Sequence, residues 1–233
     1  MSEAVSRVLN PLGKKGNRLI AILSFLILIT LITPAQAIDY DDGAKYISGW
    51  DVADSGTDED LFASAYDGES VFAFGAGGVI LQSADKGATW VQLESPATSD
   101  LHASDSVEGA IVVVGNGGAA YLRAEDSGTW LDISLSPPVD FRGVAMTGAT
   151  SLVAVGPGGA IWQYSSDTWM QRDSGVSTDL NEVSFLDATL GMIVGDSGTI
   201  LATDDGGESW EYREAPEGLD ADIMALDYYS GIR

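Results

Sequence analysis

The chain has 233 residues, no cysteine, one histidine and only 11 lysines and arginines against 35 acids. The missing cysteines exclude disulfides and thiolate metal sites. The missing positive charge, a net −24 at pH 7, excludes nucleic acid and anionic lipid surfaces as natural partners. No Asp-x-Asp-x-Asp-Gly calcium loop is present. No Gly-Lys-Ser/Thr follows any glycine-rich stretch, so there is no nucleotide loop. No long helical pattern interrupts the glycine-punctuated apolar runs. Neither a cofactor nor a metal is expected.

What is present begins with an export signal. Arg7, Lys14, Lys15 and Arg18 precede an apolar run, Leu19 to Thr33, of 15 residues. Pro34 and the small-x-small triplet Ala35-Gln36-Ala37 follow, so residues 1–37 read as a cleaved signal peptide and the mature chain starts at Ile38. The alternative is an uncleaved membrane anchor through residues 19–33, although a spanning helix needs roughly 20 residues. Either way residues 38–233 are expected outside the cytoplasm: secreted, periplasmic, thylakoid-lumen-like or at the cell surface. Without residues 1–37 the chain keeps 7 basic and 34 acidic residues, a net −27, with Lys45 and Lys86 its only lysines. Such a charge favours solubility in a salty exterior.

A period near 40 runs through the rest. Trp50, Trp90, Trp130, Trp169 and Trp210 are spaced by 40, 40, 39 and 41 residues. Glycine-rich quartets starting at Gly75, Gly115, Gly156 and Gly195 are spaced by 40, 41 and 39. Short strands and glycine turns at this period predict an all-β fold, a β-propeller of four-stranded antiparallel blades. Blade 1 covers about Asp60–Ser95, blade 2 Asp100–Ser136, blade 3 Asp140–Ser174 and blade 4 Asp179–Ala215. Each opens with a moderately apolar strand. A dense one follows, such as Ile111-Val112-Val113-Val114, suited to burial on both faces. The quartets read as tight turns whose glycines supply positive φ. Each tryptophan opens an outer strand and is expected to lodge between blades. On that basis Trp90→Ala and Trp210→Ala are each expected to cost about 3–5 kcal/mol.

The loop before the tryptophan carries the most specific pattern. Ser83, Asp85, Gly87, Thr89 and Trp90 fit Ser/Thr-x-Asp-x-Gly-x-Ser/Thr-Trp, as do Thr203, Asp205, Gly207, Ser209 and Trp210. A short carboxylate can accept backbone N–H groups in such a turn, and glycine can take the left-handed conformation. These residues are therefore assigned a structural role. In blade 2, Ala124 to Trp130 shifts Asp126 and Gly128 by one place, and in blade 3 Ser165-Ser166-Asp167-Thr168-Trp169 lacks the glycine.

The ends suggest incompleteness. Trp50 reads as a lone outer strand over residues 45–52, meant to pair with the last blade. At the other end Ile223, Asp227 and Gly231 align 40 residues after Val183, Asp187 and Gly191. The expectation is a propeller domain over residues 38–233 truncated at its C-terminus, with four full blades and a partial blade at each end.

The Ser/Thr-x-Asp-x-Gly-x-Ser/Thr-Trp pattern resembles the Asp-box of bacterial neuraminidase repeats. Blade 4, from Leu180-Asn181-Glu182-Val183-Ser184-Phe185 through Gly191-Met192-Ile193-Val194-Gly195 and Gly198-Thr199-Ile200-Leu201 to Trp210, is similar to the repeat of the photosystem II stability and assembly factor family. The resemblance covers about residues 45–233. It implies a seven-bladed ring that binds other proteins without catalysis, and family members present an arginine-rich patch. Here the mature chain offers Arg123, Arg142, Arg172, Arg213 and Arg233, scattered in sequence. The function expected is non-catalytic protein binding or assembly, with a protein partner and no nucleic acid.

Two alternatives belong to other classes. Asp-boxes also decorate sialidases, so an exo-glycosidase is one. Against it, no arginine lies between Tyr40 and Gly49 to supply the Arg-Ile-Pro motif that precedes the first box, and Tyr212 and Glu214 fall on an outer strand. The other is a cell-surface structural repeat protein. Gly195-Asp196-Ser197-Gly198 mimics a protease nucleophile motif, but it occupies the repeat turn. His102 lacks that family's flanking residues. No catalytic residue is assigned.

Overall fold

The computed structural model describes residues 53–125, 127–215 and 220–227. The export signal, Trp50 with its surrounding segment, Asp126 and residues 228–233 lie outside the described residues. Among the described residues no helix is long and apolar enough to cross a membrane.

Sixteen strands form four antiparallel four-stranded sheets, each a simple meander. Blade 1 holds β1 (Leu61–Tyr66), β2 (Val71–Gly75), β3 (Ile80–Ser83) and β4 (Val91–Gln92). Blade 2 holds β5 (Leu101–Val107), β6 (Ala110–Gly115), β7 (Ala120–Arg123) and β8 (Leu131–Asp132). Blade 3 holds β9 (Gly143–Gly148), β10 (Ser151–Gly156), β11 (Ala160–Ser165) and β12 (Thr168–Arg172). Blade 4 holds β13 (Leu180–Phe185), β14 (Gly191–Gly195), β15 (Ile200–Thr203) and β16 (Glu211–Tyr212). The propeller predicted from the period is the fold observed.

The second strands are the dry centre. All of β2 and β6 is buried, and so is nearly all of β10. Alternating side chains on such a strand serve two seams, because successive residues point to opposite faces. Ile111 and Val113 pack toward blade 1 with Phe72 and Phe74, whereas Val112 and Val114 pack toward blade 3 with Val144 and Leu152.

Three tryptophans close these seams. Trp130 sets its edge against Phe72 and Phe74 of blade 1, with centroids 6.3 and 5.7 Å away. Trp169 stacks on Phe141 and donates its Nε1–H to the Ile133 carbonyl at 2.6 Å. Trp210 joins Ala145, Val153 and Val155 of blade 3 to Ile193 and Leu201 of blade 4. Among the described residues Trp90 meets Leu61, Ala73, Val79 and Leu81, all of its own blade, and it is partly exposed; no described blade precedes it.

The glycine quartets supply positive φ as expected, but their first glycine serves a different purpose. Gly75, Gly115, Gly156 and Gly195 are extended, not left-handed. A Cβ there would stand 2.1, 1.9, 2.5 and 2.2 Å from the carbonyl oxygens of Asp60, Asp100, Asp140 and Asp179. Close backbone approach excludes a side chain at these four positions. The left-handed residues come two and three places later; in blade 4 they are Ser197, with φ 55°, and Gly198, with φ 68°.

Blade 3 replaces its lost Asp-box with a tight hairpin. Ser166 and Asp167 both take positive φ, 49° and 59°. Outer strand β12 thereby runs for 5 residues and includes Trp169 in register with Tyr164.

Candidate functional site

The Asp-box loops show how carboxylate, hydroxyls and backbone fit together. Asp85 Oδ1 accepts from the Thr89 N–H at 2.8 Å and from Ser83 Oγ at 2.8 Å, while Thr89 Oγ1 donates to Asp85 Oδ2 at 2.6 Å. The Gly87 N–H donates to Ser83 Oγ at 2.7 Å. Thr203, Asp205, Gly207 and Ser209 repeat every one of these bonds. Gly87 and Gly207 are left-handed, with φ 90° and 88°. The donated bonds, the threonine or serine hydroxyl foremost, hold both Asp85 and Asp205 down at a pKa of about 2.

A second set of aspartates ties blade to blade. Asp100 Oδ1 accepts from the Gly77 N–H at 2.8 Å, Asp140 Oδ1 from Gly117 at 2.7 Å and Asp179 Oδ1 from Gly158 at 2.9 Å. Each carboxylate opens one blade and reaches the tight turn of the blade before. In three blades the carbonyl at this position binds its own blade: Asp60 takes the Ala76 N–H, Asp100 the Asn116 N–H and Asp179 the Asp196 N–H, while in blade 3 the donor position is Pro157. Sequence reading marked these aspartates as blade starts and missed the bridge.

Asp222 completes the series on the Ser197 N–H at 3.0 Å. It follows Asp179 by 43 residues. The 40-residue alignment of Ile223 with Val183 is therefore wrong. Ile223 stands where Leu180 stands, and its N–H bonds the Gly195 carbonyl at 3.1 Å. The chain between Trp210 and this segment is longer than between earlier blades, which shifts the register.

The first strands of all four blades and residues 224–227 line one central channel of about 900 Å³. The channel mixes chemistry. Phe62 and His102 lie with ring centroids 5.1 Å apart, and His102 Nε2 lies 3.0 Å from Asn116 Oδ1. Arg142 donates to Asn181 Oδ1 at 2.9 Å and to Asp179 Oδ2 at 2.7 Å. Four carboxylates, Asp105, Asp140, Glu182 and Asp227, also line it. Asp105 bridges blades by accepting from the Met146 N–H at 2.7 Å. Burial pushes the Glu182 carboxyl up to about 8, with Asp105 and Asp227 adding to the effect against a hydrogen bond from the Val183 N–H. Burial also raises Asp105, opposed by its two backbone donors.

The residues set aside as decoys fall elsewhere. Ser197 is held in the blade-4 turn beside Asp222, while His102 is engaged with Asn116 in the channel. Tyr212 and Glu214 are exposed at the outer strand. The arginines do not gather. Arg123 pairs with Asp67 at 2.9 Å, Arg142 with Asp179 and Arg213 with Glu211, while Arg172 grips Gln163. Among the described residues no group of three metal-ligating side chains has metal-binding geometry.

Four meandering sheets around a channel, with Asp-box loops before the outer strands, define an Asp-box β-propeller. Within that class part of the chain is similar to a family of photosystem II assembly factors. The family described as photosynthesis system II assembly factor YCF48 matches residues 161–230. YCF48 from Cyanidioschyzon merolae is similar in structure at 13% identity and a TM-score of 0.54, over 74% of this chain. This chain spans only 61% of that protein's length. YCF48 bound to D1 peptide matches at 16% identity over 66% of this chain and 67% of that one, with a TM-score of 0.44. The computationally designed protein Ika8 matches at 17% identity and a TM-score of 0.60, over 75% of this chain and 54% of that one. No curated protein matches the sequence.

Proposed function

We propose that the protein is a non-catalytic, extracytoplasmic binding scaffold that assists assembly of a protein complex, in the manner of photosystem II assembly factors. The family match over residues 161–230 carries this reading. The channel is consistent with it: rigid first strands present an aromatic, an imidazole, a guanidinium and several hydroxyls around one opening, which suits recognition of a polypeptide. Every described arginine is already bonded within the chain. A partner is therefore expected to be read by the channel mouth, not by an arginine patch.

The test is crosslinking of the full chain in extracts of its host, compared with a Phe62→Ala/Arg142→Ala double variant. Capture of a membrane-complex subunit by the wild type and its loss in the variant would support the reading. Equal capture by both would overturn the assigned surface. Turnover of a fluorogenic sialoside by the purified full chain would instead establish the exo-glycosidase alternative. Immunodetection in the extracytoplasmic fraction tests the location, and a cytoplasmic signal would refute it.

A further inference from the structure

The rim of blade 3 differs from the other rims. β4, β8 and β16 are outer strands of 2 residues each, whereas β12 runs for 5. The two-residue turn at Ser166 and Asp167, both left-handed, keeps β11 and β12 paired up to Ser165 and Thr168. In such a hairpin the pair flanking the turn is the hydrogen-bonded one, and bonded and unbonded pairs alternate from there. Thr168, Met170 and Arg172 therefore direct their main-chain groups at β11, while Trp169 and Gln171 direct theirs outward from the sheet edge. A row of unpaired N–H and C=O groups is a template for an added strand. Little blunts this edge. β12 has no proline and no bulge, and its one charged side chain, Arg172, is turned back onto Gln163.

A groove of about 630 Å³ adjoins the edge, between β12 and β8 of blade 2. Leu131, Ile133, Tyr164 and Trp169 form its apolar part, and Leu131 is 56% exposed. The Tyr164 and Trp169 rings lie with centroids 5.2 Å apart. Each wall adds a carboxylate, Asp132 from blade 2 and Asp167 from blade 3. Asp132 accepts from the Ser134 N–H at 2.9 Å, and Asp167 from the Tyr164 hydroxyl at 3.3 Å. Among the described residues no arginine or lysine pairs with either carboxylate. Carboxylates beside aromatic rings attract a cation both by charge and through the ring quadrupole.

We propose that the β12 edge and this groove form a docking site for an extended polypeptide carrying an arginine or lysine. The peptide adds to blade 3 as a fifth strand through the Trp169 and Gln171 main chain. Its cationic side chain enters the groove between Asp132 and Asp167. Charge complementarity selects this occupant over a second copy of the chain, which has 35 acids against 11 basic residues and would bring mostly like charge. The groove shares no lining residue with the channel, so the two surfaces can be tested separately.

Amide hydrogen exchange on the full chain, titrated with the capped peptide Thr-Val-Arg-Val-Thr-Val, tests the site. At saturation the Trp169 and Gln171 amides should gain about tenfold protection, and Met170, already bonded to β11, should not change. The same peptide with glutamate for arginine should not bind. A double variant, Asp132→Asn with Asp167→Asn, should weaken binding about tenfold. Asparagine keeps an acceptor oxygen at both places and tolerates the left-handed backbone at 167, so the fold is preserved. Phe62→Ala/Arg142→Ala should bind the peptide as the wild type does; loss of binding there would place the peptide in the channel and overturn the rim site. Unchanged Trp169 and Gln171 amides, equal binding of the glutamate peptide, or undiminished affinity in the asparagine variant would overturn it too. Dimerisation of the free chain that protects the same two amides would give the edge to a second copy instead.

Discussion

Trp90 and Trp210 follow two loops with the same internal bonds and meet different fates. Behind Trp210 the indole is 9% exposed and sealed by Ala145, Val153 and Val155 of the preceding blade. Behind Trp90 the indole lies on one face of its own sheet, partly open. The glycines differ in step. A Cβ on Gly207 would press on Val153 Cγ2 at 2.9 Å, across the seam, whereas one on Gly87 would meet only Trp90 at 3.7 Å. The Asp-box is therefore a self-contained turn that aims an indole. What the indole is worth depends on the sheet it faces.

Truncating the two indoles gives the largest expected difference. Trp210→Ala should cost about 3–5 kcal/mol in urea unfolding, as for other enclosed aromatics. Trp90→Ala should cost about 1–2 kcal/mol, because less apolar area leaves contact. Equal losses would show that Trp90 is covered by a part of the chain not described. Next come the turns. Gly115→Ala drives a methyl into the Asp100 carbonyl and should cost about 3 kcal/mol. Gly77→Ala, left-handed with open space around it, should cost about 1 kcal/mol. A reversed order would refute close approach as the reason for the first glycine.

The bridging aspartates sharpen the contrast between ends. Asp100→Ala removes a carboxylate bond between blades 1 and 2 and should cost about 1.5 kcal/mol. Asp60 reaches no turn amide among the described residues, so Asp60→Ala should leave the thermal midpoint nearly unchanged. The smallest effect concerns the loops themselves. Asp85→Asn and Asp205→Asn should weaken protection of the Thr89 and Ser209 amides alike, since both loops have the same bonds. Both carboxyls are depressed to about 2, so their contribution is present above the ordinary aspartate range and lost as pH falls through about 2. Unequal loss would tie the loop to its indole.

The architecture was readable because indoles and glycines recur with little drift, and each marks a strand boundary. The loop bonds were readable for the same reason, as all partners lie within six residues. The bridging carboxylates were harder. Asp100 and Gly77 are 23 residues apart, and nothing in either neighbourhood shows which turn a blade's first residue will reach. The channel carboxylates were harder still. Asp105 on β5 and Glu182 on β13 hold different positions within their strands, and Asp227 matches Asp105 only once the shift at Asp222 is known, so no constant spacing unites the three. The shift at Asp222 was hidden because a constant period was carried across a connection of different length.

Asp100 and Asp179 carry the carbonyl for one sheet and the carboxylate for another, and this has a consequence for how such chains grow. A stretch cut from Asp100 to Val139 contains one complete hook and one complete eye. Copied in tandem, it would fit between its neighbours without any change to their sequences. Gene duplication at that boundary can add or remove whole units while every joint remains intact.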